Sequence, residues 1–398
     1  MTTTGTGTTL PGALRHLADY TAATLSATTR EIARVTSRSM TDALAETAAG
    51  RRGPLDAATR ALTWWTVLAD RRTPDWHTPN QIVFSTPFAH LRDMTRPDHR
   101  DDDVVPTLLL PPQAGHSSHI VDYSADQSQV GAITEAGLTR LHVLEWRSAT
   151  AATRHVSITD YLDVIERSIR LLGGRVNLVG DCQGGWLAAI YAALHPHRVH
   201  TLTLAGAPID FHAGDSVIAS TTRALTSAFG LAPYRALVAA NGGVMPGRAA
   251  LANFIAIRPQ AELSRQWELL AHLTDDAHVR RYRAFDDWFT HTQDLPGAFY
   301  LWLVEHLFRR NELISGELVV DGRRADPAAI TCPLFLLAGE TDHITPAPQL
   351  FALADVVGTP AERITLRTAR GGHLGLFMGH DALRTDWPAL LSAVRALS

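Results

Sequence analysis

Residues 176–190, VNLVGDCQGGWLAAI, constrain this chain more than any other stretch. The apolar run 176–179 has the length and branching of a buried strand, and Trp186, Leu187, Ile190 and Tyr191 return at helical spacing. Between them lies Gly180-Asp181-Cys182-Gln183-Gly184-Gly185, the strand-turn-helix pattern G-x-S-x-G with Cys182 in the serine position. Such a turn needs its glycines because a Cβ there would strike the neighbouring strand or helix. Cys182 would then face a helix N-terminus, where the N–H of Gln183 and the positive dipole end favour a thiolate and can hold an oxyanion. Cys182 is the candidate nucleophile, against the competing reading of a small buried cysteine beside a tight turn. Asp181 would disfavour a thiolate if it pointed inward, so it is expected to face outward.

Composition bounds the rest. A chain of 398 residues with 45% hydrophobic content can bury a full core, either as one large domain with an insertion or as two domains. The formal net charge of -4 and the lack of a basic stripe suggest neither nucleic acid nor an anionic membrane surface as partner. The Thr-rich start lacks a basic segment followed by an apolar one, and no apolar run approaches a membrane span; a cytoplasmic protein is expected. Two cysteines, Cys182 and Cys332, exclude a disulfide framework and a thiolate zinc site. Cys332, at the start of a strand, is read as an inert buried thiol.

In chain order, 1–75 reads as a helical extension. Short strands at 81–84 and 89–92 follow, then a strand at 104–110 closed by Pro111-Pro112. The loop Gln113-Ala114-Gly115-His116 stands where a second oxyanion N–H would come from. Its histidine is read either as a site residue or as a solvated or capping one. A helix at 127–136, a strand at 141–146 and a helix at 158–172 lead to the elbow, so strands alternate with crossover helices as in a parallel sheet. After a strand at 199–204, residues 210–325 read as a helical, aromatic-rich cap inserted between strands. It would exclude water and line an acyl channel, although most of its aromatics are read as the cap's own core. Asp210, at its start, is read as a helix cap. The sheet resumes at 334–338, followed by Gly339-Glu340-Thr341-Asp342, and a last strand at 364–367 precedes Gly371-Gly372-His373. The order Cys182, Asp342, His373, each after its strand, is the nucleophile, acid, base order of the α/β-hydrolase fold. Glu340 and His343, flanking Asp342, are read as capping or packing residues. The expected organisation is therefore an α/β-hydrolase core, 76–209 and 326–398, with the cap and the N-terminal extension.

The elbow, Gly206-Ala207-Pro208-Ile209-Asp210-Phe211, Leu295-Pro296-Gly297-Ala298-Phe299 with Asn311-Glu312-Leu313, Thr341-Asp342-His343-Ile344-Thr345-Pro346, and Gly372-His373-Leu374-Gly375 together resemble polyhydroxyalkanoate synthases, most closely the short class III catalytic subunit. The resemblance spans roughly 80–397. It implies a Cys182–His373–Asp342 triad, (R)-3-hydroxyacyl-CoA as substrate, a mobile cap, no cofactor, and a homodimer or a partner subunit. Three features depart from it: Trp186 occupies a position where a small residue is expected, Gly115-His116 is similar to the intracellular polyhydroxyalkanoate depolymerases, and the 1–75 extension is unlike the class III subunit. Thioester chemistry favours transfer, because an acyl-cysteine keeps the drive to acylate a hydroxyl. Open alternatives are a depolymerase, a thioesterase or cyclase acting on carrier-bound acyl chains, and a granule-associated scaffold without turnover.

Overall fold

Eight strands hydrogen-bond into one sheet: β1 (Gln81–Ser85), β2 (Ala89–Asp93), β3 (Thr107–Leu110), β4 (Leu141–Trp146), β5 (Val176–Asp181), β6 (Val199–Ala205), β7 (Leu334–Gly339) and β8 (Ile364–Ala369). Their spatial order is β1-β2-β4-β3-β5-β6-β7-β8. The first pairs, β1 with β2 and β2 with β4, are antiparallel, and every later pair is parallel. This is the α/β-hydrolase order, with the elbow strand β5 at the centre. The computed structural model describes residues 54–100, 103–257 and 259–398; the extension expected over 1–75 lies outside them except for its last part, which contains helix α1 (Pro54–Ala69).

Central strands are apolar on both faces because crossover helices cover both sides of a parallel sheet. Every residue of β3, β5 and β7 is buried. Helix α2 (Gln129–Glu135) follows a two-stranded ladder that takes the first part of the expected helix; Ser128 caps it, accepting a hydrogen bond from Gly131 N at 2.8 Å. Helix α3 (Ile158–Leu171) starts with a capping box from Ser157 and Asp160 and buries Tyr161, Ile165 and Ile169 on one stripe. Helix α4 (Gln183–Leu194) is buried almost all round, as the helix behind an elbow must be. Strand β3 is shorter than the run 104–110, because Pro106 offers no N–H to a ladder.

Contacts divide the chain into two compact units. Residues 75–248 and 292–398 contain the sheet together with α5 (Val217–Phe229), α6 (Ala232–Ala240) and α10 (Gly297–Leu303). The chain between β6 and β7 is not all helical: Leu295–Pro296 pairs with Val244–Met245, and Val319–Val320 with Arg323–Arg324. The other unit holds 54–74 and 249–291, with the body of α7 (Gly247–Ile257), α8 (Pro259–Ala271) and α9 (Asp276–Thr290). There Val67, Leu269, Leu273 and Tyr282 form the core. Arg265 bonds Glu262 and Asp286 while its guanidinium lies over Tyr282, Phe285 and Phe289. These ring contacts are internal to that unit, in keeping with the expectation that most insertion aromatics pack on each other. Among the described residues no helix is long and apolar enough to cross a membrane.

Candidate active site

Three strand ends converge on one point. At the end of β5, Cys182 has φ 49 and ψ -113, a conformation that costs a non-glycine residue about 1–3 kcal/mol and is retained where the surroundings enforce it. The enforcement is steric. A Cβ on Gly184 would lie 2.0 Å from Leu110 O, and one on Gly185 would lie 2.3 Å from Ala207 Cβ. These contacts seat the start of α4 directly against the ends of β3 and β6. Cys182 N donates to Ala205 O at 2.8 Å, which pins the turn to β6.

His373 follows β8, and its Nδ1 lies 2.7 Å from Asp342 Oδ2, after β7. Asp342 Oδ1 accepts from the N–H groups of Ile344 and Thr345, each at 2.9 Å, so both carboxylate oxygens meet donors only. With Nδ1 occupied by Asp342, the imidazole's other nitrogen is left for Cys182, which acts on the histidine electrostatically. Burial alone would pull the His373 imidazole down, but the negative charge of Asp342 and that of Cys182 hold it well above its ordinary value. Cys182 is 8% exposed and His373 6%, so the pair is shielded from bulk water.

Among the described residues, the backbone N–H groups of Gln183, Gln113 and Ala114 make no hydrogen bond within the protein. Gln183 opens α4, and the Gln113 segment follows Pro111, whose carbonyl lies against Gly184. This brings the two candidate sources of oxyanion donors to the same edge. His116 is held differently: it forms an isolated antiparallel bridge with Thr292, while Gly115, at φ 92, accepts from Gln293 N at 2.8 Å. The loop is thereby stitched to the strand returning from the insertion.

Sequence reasoning missed three features. Asp181 is fully buried, contrary to the outward placement expected of it, because β5 is covered on both faces and leaves its last residue no solvent side. Its Oδ1 accepts from Gln129 Nε2 at 3.2 Å, and burial pushes its carboxyl up to about 8. The signal available was the mostly apolar strand sequence that precedes it. Trp186 fills its position because Phe299 of α10 stacks on it at 5.8 Å and on Tyr161 at 4.2 Å, with Trp302 a further 6.3 Å neighbour. Asp210 does more than cap: its Oδ1 accepts from His212 N, Ala213 N and Asn311 Nδ2, while Asn311 Oδ1 accepts from Phe211 N. Cys332 is partly exposed, and burial of its thiol pushes it up to about 11. Among the described residues, no group of three His, Cys, Asp or Glu side chains could hold a metal ion.

Comparison with known proteins agrees with the resemblance. The poly(3-hydroxyalkanoate) polymerase subunit PhaC of Allochromatium vinosum is 24% identical over 319 residues, covering 78% of this chain and 87% of that protein. The subunit of the same name from Haloferax mediterranei is 24% identical over 326 residues, covering 79% of this chain but 63% of its own longer one. Among solved structures, a hydrolase from Pseudomonas aeruginosa aligns over 81% of this chain and 98% of its own, with 18% identity and a TM-score of 0.47. A family model described as "Protein of unknown function (DUF3141)" matches residues 87–397, more than three quarters of the sequence. With strand order and polymerase relatives in agreement, the chain is an α/β-hydrolase-fold protein that belongs to the DUF3141 family and is related to the polyhydroxyalkanoate polymerases.

Proposed function

We propose that this protein is a cysteine-dependent acyltransferase of the polyhydroxyalkanoate synthase type, moving (R)-3-hydroxyacyl groups from a coenzyme A thioester through an acyl-Cys182 intermediate to a hydroxyl acceptor. The observation that carries the reading is Cys182 at a strained elbow, with its charge bearing on a His373 whose Nδ1 is held by Asp342. The relatives named as polymerase subunits support the substrate class.

In acylation the Cys182 thiolate attacks the thioester carbonyl carbon. A C–S bond forms, and the carbonyl electron pair moves onto oxygen, facing the N–H groups of Gln183 and of Gln113 or Ala114. Collapse breaks the bond to the coenzyme A sulfur, and the proton on His373 goes to that leaving group. Asp342 keeps Nδ1 protonated and stabilises the imidazolium. In deacylation the neutral His373 takes the proton of the acceptor hydroxyl, whose oxygen attacks the acyl-cysteine carbonyl. The ester leaves, and Cys182 and His373 return to their starting state. Phe299 and Tyr161 stack with Trp186 of the elbow helix, and such apolar surroundings favour an organic acceptor over water. We assign residues 210–325 as the cap, and a homodimer or partner subunit as the working assembly.

The test is thiol release from 3-hydroxybutyryl-CoA, followed together with the products and with the intact mass of the protein. A mass increase on Cys182 and oligomeric ester support the reading. Free 3-hydroxybutyrate in amounts equal to the thiol makes the protein a thioesterase, and degradation of preformed polyester without thiol release makes it a depolymerase. Either outcome overturns the assignment.

A further inference from the structure

The proposed reaction leaves unused one buried titratable side chain, the residue immediately before the nucleophile. Asp181 ends β5; the register sets it against Ala205 of β6, one step beyond the pairing of Gly180 with Leu110 of β3. The polar side chain that reaches it is Gln129, first residue of α2, which is itself sealed from solvent. Gln129 Nε2 donates to Asp181 Oδ1. Asp181 Oδ2 and Gln129 Oε1, both buried, have no partner among the described residues. Among the described residues no cation forms an ion pair with Asp181. The titratable groups that bear on it are His373, from the loop after β8, and the adjoining Cys182, while Asp342 is taken up by His373.

An ionised carboxylate does not account for this arrangement. It would leave one charged oxygen and one amide oxygen unsatisfied in a closed interior, where each such acceptor carries a desolvation penalty. One proton on Oδ2 removes both faults. The carboxylic acid then presents a donor and an acceptor along one edge, complementary to the edge of a primary amide. The N–H of Gln129 bonds Oδ1, and the O–H of Asp181 meets Oε1 after a small turn about the soft terminal torsion of the glutamine.

We propose that Asp181 is a positioning residue for the Cys182 reaction, held as a neutral acid against the Gln129 amide so that no negative charge stands beside the oxyanion, and that its ionisation slows acylation. This rests on the acyl-transfer reading above. The physical reason is Coulombic. The oxyanion forms next to residue 182, and a buried carboxylate on residue 181 would oppose it in a medium of low dielectric constant. The same carboxylate would attract His373 and make the imidazolium slower to hand its proton to the leaving thiol. Neutrality of Asp181 thus serves both halves of the acylation step. Because the proton is lost near pH 8, the effect falls in an accessible range.

The experiment uses the full chain and follows the first burst of thiol release from an activated acyl thioester through a pH series bracketing 8. The wild-type rate should pass onto an alkaline limb near that value, falling about tenfold per unit once Asp181 ionises. In Asp181→Asn the amide-to-amide pair is preserved and the rate below the limb should stay within a few-fold of wild type, but the limb should vanish. Gln129→Leu removes the amide that pairs with Asp181, so its limb should leave the wild-type pH. A limb at the same pH in all three proteins overturns the proposal. Infrared difference spectroscopy supplies a readout that needs neither substrate nor turnover: at neutral pH the carbonyl stretch of a protonated carboxylic acid should be present in wild type and missing from Asp181→Asn. Absence of that band in wild type overturns the proposal even if Cys182 is acylated. Presence of the band, with no acylation by any thioester, leaves the protonation of Asp181 standing and removes the reaction instead.

Discussion

Two strands of this sheet end near aspartates that are both buried and both lie close to His373, yet their surroundings differ. Asp342 follows β7 at a turn that supplies two backbone N–H groups to one oxygen and an imidazole to the other. Asp181 closes β5 inside the sheet, where one amide N–H reaches it and its second oxygen has no partner among the described residues. Burial is common to both, so burial does not distinguish them. The difference is the number of donors: a loop can turn its N–H groups inward, whereas a central strand has already committed its own to the neighbouring ladders. The same fold thus provides one place suited to a charged carboxylate and, next to the nucleophile, another suited to a neutral one.

The largest effect tests whether both aspartates serve one reacting centre. Cys182→Ala should lower thiol release below about a thousandth of wild type, since removing a nucleophile removes most of the acceleration. Cys332→Ala should leave it nearly unchanged, because burial holds that thiol protonated. Retention of most activity in Cys182→Ala would detach Asp342 and Asp181 from any common chemistry.

The next effect sets the two aspartates against each other. Asp342→Asn should cost about a hundredfold to ten-thousandfold in acylation at neutral pH, as a histidine in the wrong tautomer is only partly disabled. Asp181→Asn, equally conservative, should cost no more than a few-fold under the same conditions. Equal losses would erase the distinction drawn from their donors. The readout is the single-turnover rate, with the fold checked by circular dichroism.

How much of this was legible in the sequence differs between the two sites. The run 176–179 and the glycines after it were enough to read β5, the elbow and Cys182, because steric demands at a strand-turn-helix junction are local. Asp342 and His373 were legible as residues that follow strands in the required order, although their 2.7 Å contact depends on long-range pairing of β7 with β8. Asp181 was misread. An acidic residue suggests solvent, and that local expectation lost to the topology that places helices on both faces of β5. The stack of Trp186, Phe299 and Tyr161 joins α4, α10 and α3 across more than a hundred residues of sequence, so no local pattern announced it. The division that groups 249–291 with 54–74 likewise depends on contacts between segments far apart in the chain.

A smaller effect concerns stability rather than rate, and its sign follows from the shift. The Asp181 carboxyl is raised from 3.8 to about 8 by burial, so between those values the folded chain keeps a proton that the unfolded chain has lost. Stability from this group is full below 3.8, falls by about 1.4 kcal/mol per pH unit across the interval, and is exhausted above about 8. Denaturant unfolding at a series of pH values should show that slope flattened in Asp181→Asn relative to wild type. Parallel slopes would mean that Asp181 is ionised in the fold and that the contrast with Asp342 is false.

The smallest effect comes from a third strand-end aspartate, which separates donor-rich surroundings from function. Asp210 lies beyond β6, and its Oδ1 accepts from His212 N at 2.9 Å, Ala213 N at 3.1 Å and Asn311 Nδ2 at 2.8 Å, a setting much like that of Asp342. Among the described residues no histidine side chain is hydrogen-bonded to it; instead its bond to Asn311, whose φ of 55 needs holding, ties the chain just after β6 to a position a hundred residues on. Asp210→Ala should therefore cost about 1–2 kcal/mol of unfolding free energy, the range for losing a capping carboxylate and a buried hydrogen bond. The alkylation rate of Cys182 and its pH profile should stay within about twofold of wild type, since the change removes no charge adjacent to His373. If Asp210→Ala instead moved the pH profile as Asp342→Asn does, donor number alone would not tell the site's carboxylate from a structural one, and the assignment of Asp342 would have to rest on the imidazole contact by itself.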